Sequence, residues 1–113
     1  MILNHQEEPN GLVQATIVPN EANADNAELF KEELTALVDN GAKNIILSFK
    51  NVTYIDSSFL GSLVVGLKYA MPRKADIYLV DLEEDIHDLF RLIRMDRVFK
   101  IYKNYNEAVK AIQ

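Results

Sequence analysis

Residues Asn44-Ile-Ile-Leu-Ser-Phe49 place Ile45, Ile46, Leu47 and Phe49 in one short β-branched and aromatic run, and no other feature restricts the fold as much. A half-exposed strand alternates apolar with polar residues. A run apolar at consecutive positions belongs to a strand covered on both faces, which usually means a parallel sheet layered with helices. The chain then passes through Asn51-Val-Thr-Tyr-Ile-Asp-Ser-Ser58 into a stripe of Leu60, Leu63, Val64, Leu67 and Met71, spaced i, i+3, i+4, i+7 and i+11 and closed by Pro72. That spacing predicts an amphipathic helix. Asp56 or Ser57 stands at its N-cap, where a short side-chain oxygen accepts from a free backbone N–H.

The remaining segments extend this strand-helix alternation. Residues 1–4 and 12–18 read as two strands joined through the turn chemistry of Pro9-Asn10-Gly11. A loop then leads into a helix that Asp25 could cap, with Ala27, Phe30, Leu34, Leu37 and Val38 inward and Gly41 as its stop. After the central helix come a strand over residues 76–80, then a helix opening at Leu82 with Ile86, Leu89, Phe90 and Ile93 inward. A short edge strand over residues 99–102 and a terminal helix capped by Asn106, carrying Ala108, Val109 and Ile112, complete the chain. The expected fold is α/β: a mixed, mostly parallel sheet with about four helices and an N-terminal β-hairpin, over residues 1–113 as one domain.

Composition narrows the function. The 113 residues hold no cysteine, which removes disulfides and thiolate metal sites. Twelve Lys and Arg against seventeen Asp and Glu give a net charge of −5, which argues against nucleic acid or an anionic membrane as the main partner. No apolar run is long enough to span a bilayer, and the N-terminus lacks the pattern of a signal peptide. A soluble, cytoplasmic protein without direct membrane insertion is the expectation. His5 and His87 have no second ligand at metal spacing. Arg91, Arg94, Arg97, Lys100 and Lys103 lie among Asp85, Asp88 and Asp96, which reads as a solvated face of mixed charge. No Gly-rich phosphate loop, nucleophile elbow or histidine placed to activate Ser57 is present, so an enzyme is not expected, and no cofactor is implied.

A helix N-terminus offers unpaired N–H groups and the positive end of the helix dipole, a ready site for a phosphate carried on a hydroxyl. The residues around it carry a resemblance. Ile55-Asp56-Ser57-Ser58-Phe59-Leu60-Gly61 is similar to the Asp-Ser-Ser-Gly-Leu-Gly signature of STAS domains, as in bacterial anti-sigma factor antagonists. The ending Leu92-Ile-Arg-Met95, Val98-Phe-Lys-Ile-Tyr102, Asn106-Glu-Ala-Val109 resembles that family's closing pattern. Phe59 stands where the signature has Gly, and Asn23 where an acidic residue is expected. The resemblance implies Ser57 as phosphoacceptor, with Ser58 as the alternative. It also implies an anti-sigma factor that is a serine kinase as partner, and a serine phosphatase that restores the hydroxyl. It equally accommodates a non-phosphorylated accessory subunit, of a lipid-transport ABC system or a stress-sensing complex, for which Phe59 would be an aromatic anchor.

Placing the central helix on a wheel, with Leu60, Leu63, Val64, Leu67 and Met71 toward the sheet, turns Gly61, Ser62, Val65, Gly66 and Tyr69 outward and leaves Phe59 on the border. That uncharged strip is the composition of a surface covered by a partner, or by a loop or the terminal helix of this domain. The expected partner-binding residues are therefore Asn23, Asp56, Ser57, Ser58, Phe59, Gly61, Ser62, Val65, Gly66 and Tyr69.

Overall fold

The computed structural model describes residues 1–113. Strand β1 (Leu3–Glu7) pairs antiparallel with β2 (Leu12–Ile17) through a tight turn in which Asn10 and Gly11 adopt positive φ. The short strand β3 (Glu21–Ala22) leads into helix α1 (Ala24–Asp39), and β4 (Asn44–Ser48) follows. A second short strand, β5 (Tyr54–Ile55), precedes α2 (Ser57–Ala70). Strand β6 (Asp76–Val80), helix α3 (Glu84–Leu92), strand β7 (Lys100–Ile101) and helix α4 (Tyr105–Ile112) complete the order.

The main sheet runs β1-β2-β4-β6-β7, with every pair after the hairpin parallel. Because β4 is central, its two faces are both covered, as its apolar run requires. Ile45 and Leu47 join the large core beneath α1, α2 and α3, whereas Ile46 packs with Tyr78, Val80 and Ala108 beneath α4. Phe49 meets Phe90 of α3 edge-on, with ring centroids 6.1 Å apart. All five inward residues expected of α1 are buried.

Besides β1, which runs over Leu3–Glu7 instead of residues 1–4, and the short strands β3 and β5, which the sequence reading did not include, three details differ from it. Asn23, not Asp25, caps α1: its side chain accepts from Asp25 N at 3.0 Å, and Asn26 Oδ1 returns a bond from Asn23 N at 3.0 Å. Asn104, not Asn106, caps α4, accepting from Glu107 N at 3.0 Å. Helix α3 ends at Leu92, so Ile93 falls on its C-cap and is exposed instead of inward. In the first two cases several residues able to cap lie within three positions of each other, and the point where the chain leaves extended conformation selects one.

Candidate functional site

Two helix N-termini meet at the C-terminal edge of the parallel strands. β3 and β5 pair in parallel, Glu21 with Tyr54 and Ala22 with Ile55, which draws the start of α1 against the start of α2. The backbone continues the link: Asp56 N donates to Ala22 O at 3.0 Å, and Thr53 N to Asn20 O at 2.8 Å. Asp56 then serves both helices with one carboxylate. Oδ1 accepts from Phe59 N at 3.0 Å, capping α2, and Oδ2 accepts from Ala24 N at 2.9 Å in the first turn of α1.

With Asp56 in the cap position, Ser57 and Ser58 become the first two helical residues, and both are exposed. Residues at these positions have backbone N–H groups with no partner inside the helix. Asp56 takes the N–H of Phe59 and leaves the first turn's remaining donors beside the two hydroxyls. A phosphate on either serine would meet these donors and the positive end of the α2 dipole. Asn23 lies one residue beyond the Ala22–Ile55 pair, half-buried at the start of α1.

The helical wheel places the two faces of α2 only in part: Leu63 and Leu67 are inward and Gly61 and Val65 outward as expected. Phe59, Leu63, Gly66, Leu67 and Ala70 are buried. Phe59 stacks on Phe30 of α1 with ring centroids 4.2 Å apart. Gly66 lies directly under Leu34 of α1, where an added Cβ would collide with Leu34 Cδ2 and stand 3.3 Å from Cγ. Neither residue is free to touch another protein, so Phe59 and Gly66 leave the expected contact surface. Part of the strip assigned to a partner is covered within the domain, by α1. Met71, expected inward, is exposed.

The true outward strip is Ser58, Gly61, Ser62, Val65 and Lys68, again at helical spacing, with Ser62 half-buried. Val65 is 48% exposed, and no atom outside α2 lies within 4 Å of a Cβ built on Gly61. Tyr69 lies at the far end of this strip and is half-buried. Its hydroxyl donates to Asp39 Oδ1 at 2.5 Å, and the Arg73 guanidinium covers its ring 3.6 Å from the centroid. The bond to Asp39 is the leading cause that raises the Tyr69 pKa above its ordinary value. Two exposed residues lie outside the expected set: Lys68 on α2 and Tyr54 on β5, two positions before Asp56. Tyr54 gave a readable signal, since a two-residue strand leaves one side chain inward and the other out.

His5 is exposed on β1 and His87 half-buried on α3, and neither belongs to a group of three or more side chains able to hold a metal ion. No helix is long and apolar enough to cross a membrane.

Known proteins share this fold. A Thermotoga maritima protein named as an anti-sigma factor antagonist is 29% identical with a TM-score of 0.84, covering 96% of this chain and 92% of its own. Bacillus SpoIIAA in its phosphorylated form matches at 14% identity and a TM-score of 0.72, covering 98% of this chain and 99% of its own. The murine anion transporter Slc26a9 matches at 16% identity and a TM-score of 0.77, over 91% of this chain but only 18% of the transporter. The latter two likenesses concern the fold. The family model of the STAS domain matches residues 16–108, and this chain belongs to the STAS domain family.

Proposed function

We propose that this protein is an anti-sigma factor antagonist that works by partner switching. Unphosphorylated, it binds an anti-sigma factor that is also a serine kinase; phosphorylation of Ser57 releases it, and a serine phosphatase restores the hydroxyl. One observation carries the reading. Asp56 fills the N-cap of α2, so Ser57 is exposed at the first helical position with no capping duty of its own. Ser58, one residue on and equally exposed, is the alternative acceptor. The contact would comprise Asn23, Ser57, Ser58, Gly61, Ser62 and Val65, with Asp56 holding the two helix starts together and Tyr69 at the far margin.

The chemistry of release follows from charge. Phosphate adds about −1.5 to −2 charges at pH 7. In the free protein the α2 N-terminus and its open N–H groups stabilise that charge. In the complex the same charge meets a desolvated surface, and each 1.4 kcal/mol of added penalty weakens binding about tenfold. No rearrangement of the domain is required.

Phe59 bears on the competing role as a constitutive accessory subunit. An exposed aromatic anchor favoured that role; a Phe stacked on Phe30 in the core gives it no support. The departure from the family's Gly is absorbed inside the domain, away from the hydroxyl of Ser57.

The test is affinity capture from native lysate with wild type, Ser57→Ala and Ser57→Asp, together with mass spectrometry of Ser57 and Ser58 occupancy. Wild type and Ser57→Ala should retain a serine-kinase-like anti-sigma factor, and Ser57→Asp should lose it. Retention of one partner by all three, with neither serine ever modified, would refute the switch and restore the accessory role.

A further inference from the structure

We infer that the end of the domain opposite Ser57 docks on an anionic lipid surface. The topology separates two ends. Helix α2 starts at the C-terminal edge of the strands, and α3 runs back so that its last residues lie at the N-terminal edge, where β6 and β7 begin. That edge is held together by backbone bonds from Lys43 N to Gly11 O at 2.8 Å and from Asp76 N to Lys43 O at 2.9 Å.

Large apolar side chains stand out from this end. Leu92 is 79% exposed, Met71 63% and Val98 52%. Basic residues interleave with them. Arg94 and Arg97 flank Val98 and Leu92, and Arg73 and Lys74 follow Met71, all four exposed. At this end Arg91 and Lys100 are balanced by Asp88 and Asp76, and Arg73, Lys74, Arg94 and Arg97 outnumber Asp39 and Asp96. The net charge of −5 therefore conceals a positive pole.

The sequence reading of a mixed-charge face holds for part of this region only. Arg91 pairs with Asp88, and Lys100 lies 3.6 Å from Asp76. Arg94, Arg97 and Lys74 have no acidic partner within 4 Å. Complementing the helix dipoles accounts for cations at helix C-termini, but it gives no reason to expose Leu92, Met71 and Val98 beside them.

Charge complementarity calls for an anionic occupant, and the shape selects among such occupants. No cleft of the domain is lined by Leu92, Val98, Arg94 or Arg97. An end without a cleft, with exposed apolar side chains beside exposed arginines, suits a bilayer interface, where aliphatic side chains enter the headgroup boundary and each cation gains from anionic lipid. Docked in this way, the domain turns Ser57 away from the membrane and leaves it open to other proteins.

Sedimentation with vesicles tests the inference, using the full chain. Wild type should pellet with phosphatidylcholine vesicles containing about 40% phosphatidylglycerol, not with phosphatidylcholine alone, and should be released by ~0.5 M salt. The double variant Arg94→Glu, Arg97→Glu should bind at least about tenfold more weakly. Leu92→Ser with Val98→Ser should weaken binding several-fold while melting as wild type does, since both positions are exposed. Failure of wild type to bind the anionic vesicles, or binding that survives both double variants, would overturn the proposal. So would loss of an acidic protein from the charge-reversed variant when no vesicle binds, because the end would then be a protein interface. The vesicles contain no partner protein, so the result stands apart from the partner switch.

Discussion

Gly61 and Gly66 lie five residues apart on α2 and answer to different neighbours. A Cβ at Gly66 would strike Leu34, so glycine there lets α1 and α2 approach within the domain. A Cβ at Gly61 would enter open space. Glycine inside a helix costs about 1 kcal/mol relative to alanine, and at Gly61 nothing within the domain offsets that cost. The glycine on the inward face of α2 is thus explained by the fold, and the glycine on the outward face is not.

Substitutions on the two faces should separate in size and sign. Phe59→Ala removes a ring stacked in the core and should destabilise by about 3–5 kcal/mol in urea unfolding; a loss below about 1 kcal/mol would mean the α1–α2 packing is wrong. Asp56→Ala strips a cap from α2 and a bond from α1, and should lower stability by about 1–2 kcal/mol, with Asp56→Asn recovering part of it. Gly66→Ala should cost about 1–2 kcal/mol, because overpacking against buried Leu34 outweighs the gain in helix propensity. Leu34→Val in the same chain should reduce that cost, which a double-mutant cycle would measure.

Gly61→Ala should do the reverse, raising stability by up to about 1 kcal/mol while weakening capture of the partner. A stabilised variant with undiminished capture would remove Gly61 from the contact. The smallest effect belongs to Tyr69, at the margin of the two faces. With its folded pKa raised mainly by the bond to Asp39, its contribution is present below the ordinary tyrosine value and is lost as pH rises through the folded value. Stability should therefore decline with pH above about 10, and Asp39→Asn should bring the phenolate absorbance titration back toward the ordinary value.

The same helix shows why the sequence was readable in one place and misleading in another. In α1 the polar residues mark the solvent side clearly, and Ala27, Phe30, Leu34, Leu37 and Val38 were placed correctly from spacing. In α2 apolar residues surround most of the axis, so the period is plain but its phase is not. The sheet covers one side and α1 a second, and the stripe chosen from Leu60 to Met71 was rotated from the buried one. Phe59 and Gly66 were misplaced for that reason.

Local chemistry determined the four helices and the strands of the main sheet, the α/β class, the hairpin turn at Pro9-Asn10-Gly11 and the Asp-Ser-Ser helix start, because each depends on residues close together in the chain. Three features needed the tertiary structure. Asp56 bridges two helix N-termini only because β3 pairs with β5, 33 residues apart in register. The exposed strip of α2 was fixed by where α1 lies. The positive pole at the N-terminal edge was hidden in a net charge of −5, since a sum over the chain carries no information about position, and only the crossing helices bring Met71, Lys74, Leu92 and Arg97 to one end.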